Sequence, residues 1–388
     1  MKKRFLAFAL ACAMVFTVTA CGKSDSSDST KKDSKQESKK EQAEIEYDVN
    51  ELVTLGDYKG IEVTLDGEYE YTDEGFDKYV ADTISEANIY VEDNSQKEIK
   101  EDSIVNVDYV GSKDDVAFEG GSAEDQTLDV AGNCAAGTTQ GYIEGFTAGL
   151  VGHKVGEEVA YEVTFPKEYG NVDLAGQTVV FTFQVNYIAK AISSVDDLTD
   201  DIVSEKFSYD TVDEYIDSLK EAYKTKLESN LKSDTETAVL NTLNNNCKVS
   251  KVPEDLLQAR LDLILEMQDK QYQAYGTTLK DYLTSMGYDY DEEVAKIKAN
   301  VEESTKTELI LEAIAKAENI QVDESAYKEF VTKIYTQMGY SDETSFYKDF
   351  SVPGYGGEKY FKLAYLTEKA SDFCVDNAVV NYTSKVAE

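Results

Sequence analysis

Several residue types are scarce in this chain, and each scarcity excludes a class of chemistry. The 388 residues include no tryptophan and a single histidine, His153. One histidine excludes a multi-histidine metal site, and it excludes histidine-based catalytic dyads elsewhere in the chain. After the first twenty residues there is no long apolar run, so no later membrane span is predicted. A chain of this length and composition predicts two or three globular domains.

Cysteines are few and scattered. Beyond residue 21 only Cys134, Cys247 and Cys374 are present, with no CxxC motif and no metal-ligand spacing. We therefore expect no metal and no cofactor. The sequence leaves open a Cys247–Cys374 disulfide, which an oxidising compartment would permit, as well as free thiols.

Basic residues are outnumbered two to one. The chain has 38 Lys and Arg against 76 Asp and Glu, for a net charge of −38. We expect no nucleic-acid partner, because phosphate binding requires a surplus of Lys and Arg. The acidic charge is compatible with a preference for basic or unfolded polypeptides, and equally with a role in solubility alone.

The first twenty residues are organised like a secretion signal. Basic residues 2–4 precede an apolar run, Phe5–Val18, that is short for a membrane span. The sequence Val18–Cys21 resembles a bacterial lipobox, although an ordinary signal peptide with a chance cysteine is an alternative. We expect a lipoprotein signal peptide at residues 1–20. Lipidated Cys21 would then anchor the protein to the extracytoplasmic face of the bacterial cell membrane.

Residues 21–46 are rich in Ser, Lys, Asp, Glu and Gln and almost free of apolar side chains. Such a segment cannot bury enough surface to fold, so we predict a disordered tether. Removing the three positive charges of the signal from the net −38 leaves −41, and the acidic and basic residues of 22–44 cancel. The folded part therefore carries the acidic charge, and the tether would hold it away from an anionic membrane.

The sequence of residues 101–191 predicts short β-strands, glycine turns and one very short helix. Five landmarks follow in order: Ile104–Gly111 (IVNVDYVG), Ala117–Gly121 (AFEGG), Gly141–Glu157 (GYIEGFTAGLVGHKVGE), Val163–Gly170 (VTFPKEYG) and Thr178–Ile188 (TVVFTFQVNYI). Together they resemble the FKBP-type peptidyl-prolyl isomerase domain, most closely the version within the bacterial chaperone trigger factor. The resemblance implies an FKBP-like antiparallel β-sheet domain with a short helix.

The flanking segments resemble other parts of trigger factor. Residues 47–100 contain DYKGIEV (Asp57–Val63), where alternation at Ile61 and Val63 predicts a strand, and then a predicted helix. They resemble the linker into the family's isomerase domain. Residues 192–388 carry apolar residues at helical spacing, with Val252–Leu265 and Thr307–Glu324 in the family's order. The expected fold is therefore α+β, with the FKBP-like sheet followed by an all-α trigger factor/SurA-like chaperone domain.

The resemblance implies a site built largely from aromatic residues. Tyr109 would line the pocket wall, and Phe181 would close its base. Phe118 and Glu119 match the Phe-Asp pair of FKBPs, and trigger factor also has Glu there. Tyr169 matches the tyrosine whose hydroxyl donates toward the substrate.

Residues Tyr142–Phe146 match the Val-Ile-x-Gly-Trp landmark of the family. The backbone N–H of Ile143 would hold the substrate carbonyl, Phe146 would form the pocket floor, and Tyr142 would contact the substrate. Three features depart from the family pattern: the bulk of Tyr142, the non-aromatic Thr127 and Asp129, and an insertion at Asn133–Gly141.

Such a pocket can catalyse isomerisation without a nucleophile or a metal. Rotation about the prolyl amide has a barrier of about 18–20 kcal/mol. Its twisted transition state has lost resonance and much of the carbonyl dipole, so removal from water penalises it less than the planar amide. An apolar pocket with one or two donors therefore favours the transition state.

The expected function is that of a membrane-anchored, extracytoplasmic prolyl isomerase and chaperone for secreted proteins. Its partners would be unfolded or proline-containing polypeptides and, through Cys21, the membrane. No ribosome partner is expected, because the basic ribosome-docking loop of the family has no counterpart in the sequence. Two alternatives stay open: a non-catalytic holdase with an altered pocket rim, and a solute-binding lipoprotein. The alternating βαβ lobes usual in that last class are not seen.

Overall fold

The structure is a computed structural model that describes residues 44–384. The predicted signal peptide, Cys21 and nearly all of the predicted tether lie outside these residues. The described chain forms two compact units. The first comprises residues 68–228, and the second comprises residues 44–67 together with 229–384.

An antiparallel sheet forms the centre of the first unit. Its long strand Thr178–Ala191 pairs along one edge with Ile104–Lys113, and along the other with Glu158–Thr164 and Tyr90–Glu92. Val116–Asp129 pairs with Ile104–Lys113 and also with the short strand Cys134–Ala135. The short helix of this region is a 3₁₀ turn, Ala148–Leu150.

The sheet buries one face because alternate side chains point to the same side. Along the strand Thr178–Ala191, Val179, Phe181, Phe183 and Val185 are all buried, and the residues between them are more exposed. These side chains join a core contributed by the neighbouring strands, the 3₁₀ turn and the loop before it: Val105, Val107, Leu128, Phe146, Leu150, Val159 and Val163.

Helices pack into a second core in the same unit. Thr72 caps the helix Asp73–Glu86 by accepting from the Gly75 N–H at 3.0 Å. The other helices are Asp200–Phe207 and the first part of Val212–Asn246, with a 3₁₀ turn at Val195–Asp197. Their shared core contains Val80, Ile84, Ile89, Ile192, Leu198, Val203, Tyr215 and Leu219.

The second unit is mainly helical. Several of its helices begin at an aspartate whose carboxylate accepts a backbone N–H of the first turn, as Asp289, Asp323 and Asp342 do. Its helices are Val49–Leu52, the later part of Val212–Asn246, Glu254–Gln273, Leu279–Ser285, Tyr290–Ala317, Glu324–Gln337, Glu343–Asp349 and Gly357–Asp376. Among residues 44–384, no helix is both long and apolar enough to cross a membrane.

Three short strand pairs interrupt the helices of this unit, although residues 192–388 were expected to be entirely α-helical. Val53–Thr54 pairs with Lys248–Val249, and Ser351–Val352 pairs with Tyr355–Gly356. Glu62–Gly67 runs parallel to Val379–Ser384. The α+β architecture is confirmed, but two of these pairs join residues that are far apart in the sequence, so no local sequence pattern reveals them.

The boundaries of the two compact units differ from those of the predicted domains 47–100, 101–191 and 192–388. Pairing with the C-terminal strand brings residues 62–67 into the second unit. Packing of Ile192, Leu198 and Tyr215 against the helix Asp73–Glu86 brings the start of the predicted chaperone domain into the first. The thiols of Cys134, Cys247 and Cys374 are free and buried, so the described residues contain no Cys247–Cys374 disulfide.

Candidate functional site

Part of the sheet core of the first unit consists of aromatic rings, and Phe146 lies at their centre. Its ring centroid is 5.1 Å from that of Tyr109 and 4.9 Å from that of Phe181, both edge-to-face. Tyr142 stacks on it with the centroids 4.5 Å apart. These neighbours leave only 2% of Phe146 exposed. The predicted pocket floor is therefore covered.

Strand pairing and two glycines bring these rings together. Tyr109 is opposite Phe183, and Gly111 is opposite Phe181. A Cβ on Gly111 would lie 2.5 Å from the Phe118 ring and 2.6 Å from the Phe181 ring. A Cβ on Gly121 would lie 2.3 Å from Phe118. Only glycine at these two positions leaves room for Phe118 to lie against the sheet.

Phe118 links the central rings to a more exposed tyrosine. Its ring is 5.9 Å from Phe181 and 6.0 Å from Phe165. Phe165 in turn lies 4.6 Å from Tyr169, which is 38% exposed. The Glu119 side chain is exposed and forms no ion pair or hydrogen bond with any residue of the described range. The structure thus brings together all the predicted aromatic residues, and leaves Glu119 at the surface.

Asn133, the first residue of the predicted insertion, holds the Tyr142–Thr147 backbone in place. Its carbonyl accepts the Tyr142 N–H at 2.7 Å, and its side-chain amide donates to the carbonyls of Tyr142 and Ile143 at 3.1 and 3.0 Å. Its side-chain oxygen accepts the Thr147 N–H at 3.0 Å. Within residues 44–384 the Ile143 N–H itself donates to no partner. Its predicted role, holding a substrate carbonyl, stays a prediction.

Tyr161 is a second positioning residue that the sequence did not single out. Its hydroxyl donates to the Phe146 carbonyl, and its ring stacks on Phe183 at 5.2 Å. Burial raises the pKa of the Tyr161 phenol. The alternation of Phe181 and Phe183 along one strand could have indicated that Phe183 belongs to the aromatic cluster. The bond from Tyr161 to the Phe146 carbonyl depends on a loop conformation that no sequence pattern shows.

The site is electrically neutral. Burial raises the pKa of Tyr109 and of Tyr142. The single histidine, His153, contacts Glu157 at 2.9 Å. Neutral phenols, aromatic rings and one free backbone donor can bind a prolyl amide and favour its less polar, twisted form.

Comparison with known proteins agrees with this geometry. Residues 95–186 match the family described as FKBP-type peptidyl-prolyl cis-trans isomerase, and residues 211–372 match the C-terminus of bacterial trigger factor protein. Trigger factor of Acetivibrio thermocellus is 30% identical over 331 residues, covering 84% of this chain and 73% of that relative. The chain belongs to the trigger factor family.

Other trigger factors are similarly related. That of Halothermothrix orenii is 32% identical over 275 residues, covering 71% of this chain and 61% of the relative. That of Macrococcus caseolyticus is 33% identical over 298 residues, covering 74% and 65%. The chain thus spans 61% to 73% of the length of these three trigger factors.

One solved structure is also similar, described as "Promiscuous Substrate Recognition in Folding and Assembly Activities of the Trigger Factor Chaperone". It is 17% identical with a TM-score of 0.40, covering 84% of this chain and 72% of that chain. The family resemblance inferred from the landmarks is confirmed by the sequence relatives. The roles of the individual site residues stay predictions, which the experiments below test.

Proposed function

We propose that this member of the trigger factor family is a peptidyl-prolyl cis-trans isomerase and chaperone, anchored outside the cytoplasmic membrane, that assists the folding of secreted proteins. The observation that carries the catalytic part is the free Ile143 N–H beside a neutral aromatic cluster, within an FKBP-type domain. The substrates would be proline-containing, unfolded polypeptides.

Proline-limited refolding of a model protein tests the catalytic part. We expect acceleration by the wild-type protein and a loss of about twofold to tenfold on Tyr169→Phe, the effect of removing one neutral hydrogen-bond donor. Phe118→Ala should lose more, because it removes a ring from the cluster. Tyr275→Phe is the matched control, since Tyr275 is 74% exposed and belongs to the second unit. No acceleration by the wild type would refute the enzymatic role.

A holdase without catalysis is the second candidate, and one observation favours it. Phe146 is only 2% exposed, so the predicted floor is closed in this conformation. A holdase would suppress aggregation of an unfolded client, keep that ability in Phe118→Ala, and never change the rate of proline-limited refolding. If an excess of the protein does not reduce aggregation of the client, the chaperone activity in both proposed functions is refuted.

The proposed location depends on the signal-like N-terminus and the lipobox-like sequence ending at Cys21. A protein outside the membrane would not meet cytoplasmic ribosomes, so the proposal includes no ribosome partner. The wild-type protein should fractionate with membranes, and its mature N-terminal peptide should carry the mass of acyl chains. Cys21→Ser should release it, whereas Cys134→Ser should not. A wild-type protein found in the soluble cytoplasmic fraction would refute the anchoring.

A further inference from the structure

Tyr142 lies between the predicted pocket floor and solvent. Its ring stacks on Phe146 with centroids 4.5 Å apart and planes 29° apart, and it is itself half-buried. Phe146, directly beneath it, is 2% exposed. A proline ring therefore reaches neither face of Phe146 in this conformation. The chain closes its own site with a side chain at the rim.

The backbone of Tyr142 is fixed, so only its side chain is free to move. The backbone N–H and carbonyl of Tyr142 both bond to Asn133, at 2.7 and 3.1 Å. The same Asn133 amide holds the carbonyl of Ile143 at 3.0 Å. Rotation about the Tyr142 χ1 angle would expose Phe146 without displacing the Ile143 N–H. The cluster then has a movable ring beside a fixed donor.

We propose that Tyr142 is the gate of the prolyl site: its ring occupies the position that the substrate proline takes and must rotate outward to admit it. The inference rests on the proposed isomerase function and adds to it a residue that sets access and selectivity. A closed gate lowers apparent affinity by the fraction of molecules that are open. Rotation outward would break the stack of the Tyr142 ring on Phe146.

Breaking this stack corresponds to a penalty on substrate binding of about twofold to tenfold. A client segment must therefore compete with the Tyr142 ring. Segments with a large apolar residue before proline would displace it best, because they cover more of the exposed cluster. If Tyr142 were instead a fixed part of the pocket wall, removing its ring would weaken substrate binding, because the ring would then contact the substrate.

The test uses the full chain, purified in detergent, and a proline-containing tetrapeptide as the probe. Tyr142→Val removes the ring and restores the residue usual in FKBPs; Tyr142→Phe keeps the stack and removes the hydroxyl. We expect Tyr142→Val to lower KM and the directly titrated Kd about fivefold with kcat nearly unchanged, and Tyr142→Phe, which keeps the stack, to change both less than about twofold. Tyr275→Val, at an exposed position, should change neither.

A second measurement does not depend on catalysis. The chain has no tryptophan, so Phe146→Trp provides a single indole at the position where FKBPs have one. Acrylamide should quench this indole weakly with Tyr142 present and several-fold more strongly with Tyr142→Val. Stronger quenching and tighter peptide binding without isomerisation would leave the gate intact and refute the proposed catalysis. Unchanged quenching, or a Kd that is unchanged or raised in Tyr142→Val, would overturn the gate.

Discussion

Replacing Asn133 with alanine should destabilise the first unit by about 3 kcal/mol. The side chain makes four hydrogen bonds: it donates to the carbonyls of Tyr142 and Ile143, and it accepts from the N–H and the hydroxyl of Thr147. Each is worth about 0.5–1.5 kcal/mol net, and Thr147 is 1% exposed, so water cannot easily replace the missing partner. Asn133 also has φ +49°, a conformation that alanine adopts at a cost of about 1 kcal/mol.

Related substitutions separate these contributions. Asn133→Gly should cost about 1 kcal/mol less than alanine, because glycine adopts the positive φ without strain. Asn133→Asp keeps the acceptor for Thr147 but turns a carboxylate oxygen toward two carbonyls. It should therefore be at least as damaging as alanine at pH 7 and recover in acid, when the carboxyl can donate again.

Asn319→Ala is the matched control. Asn319 has φ +53° and is exposed, and its side chain accepts a single bond from Gln321. It should lose only about 1 kcal/mol. The measurement is hydrogen exchange of the amides near Ile143, together with urea unfolding, because two units need not unfold as one. If Asn133→Ala lowers the free energy of unfolding by less than about 0.5 kcal/mol, or by no more than the control does, the Asn133 side chain does not hold the 142–147 backbone in place.

Three further predictions concern other buried polar groups. Glu308→Ala should lower the stability of the second unit by about 3 kcal/mol in urea unfolding, because it removes the ion-pair partner of the buried Arg260 guanidinium. The double variant Arg260→Met, Glu308→Leu should recover most of that stability. Additive losses from the two sites would contradict this prediction. Tyr161→Phe removes the bond to the Phe146 carbonyl and should cost about 1 kcal/mol in the same assay; an unchanged midpoint would count against it. Burial raises the pKa of Glu312, so its contribution to stability is fully present below the unfolded value of about 4.3 and is lost as pH rises through the folded value. Glu312→Gln should thus raise the urea midpoint at pH 7 relative to wild type but not at pH 4, and equal effects at both pH values would argue against this assignment.

Local patterns predicted most of the individual elements. The helix predicted within residues 47–100 is present at Asp73–Glu86 behind the Thr72 cap, and apolar residues at helical spacing predicted helices in the second unit. The landmark Thr178–Ile188, in a segment expected to form short strands, lies within the strand Thr178–Ala191. These signals survive in the sequence because caps and side-chain periodicity act over three to seven residues.

The candidate site was only partly predictable. The aromatic positions were found through family landmarks, and they do form one connected cluster. The order of burial was not foreseen: Tyr142, expected to contact the substrate, lies on Phe146, expected to be the accessible floor. Which ring covers which depends on the torsions of the 142–147 loop. Asn133 sets those torsions from within what the sequence presented only as an insertion.

The sequence by itself determined the family, the α+β architecture and the neutral character of the expected chemistry, because these depend on residue type, order and short-range periodicity. Tertiary structure decided which distant segments share a unit. The strand Glu62–Gly67 joins Val379–Ser384 through backbone bonds that carry no residue signature. It also decided that the Tyr142 ring covers Phe146, since packing of rings depends on the summed geometry of three strands and a loop.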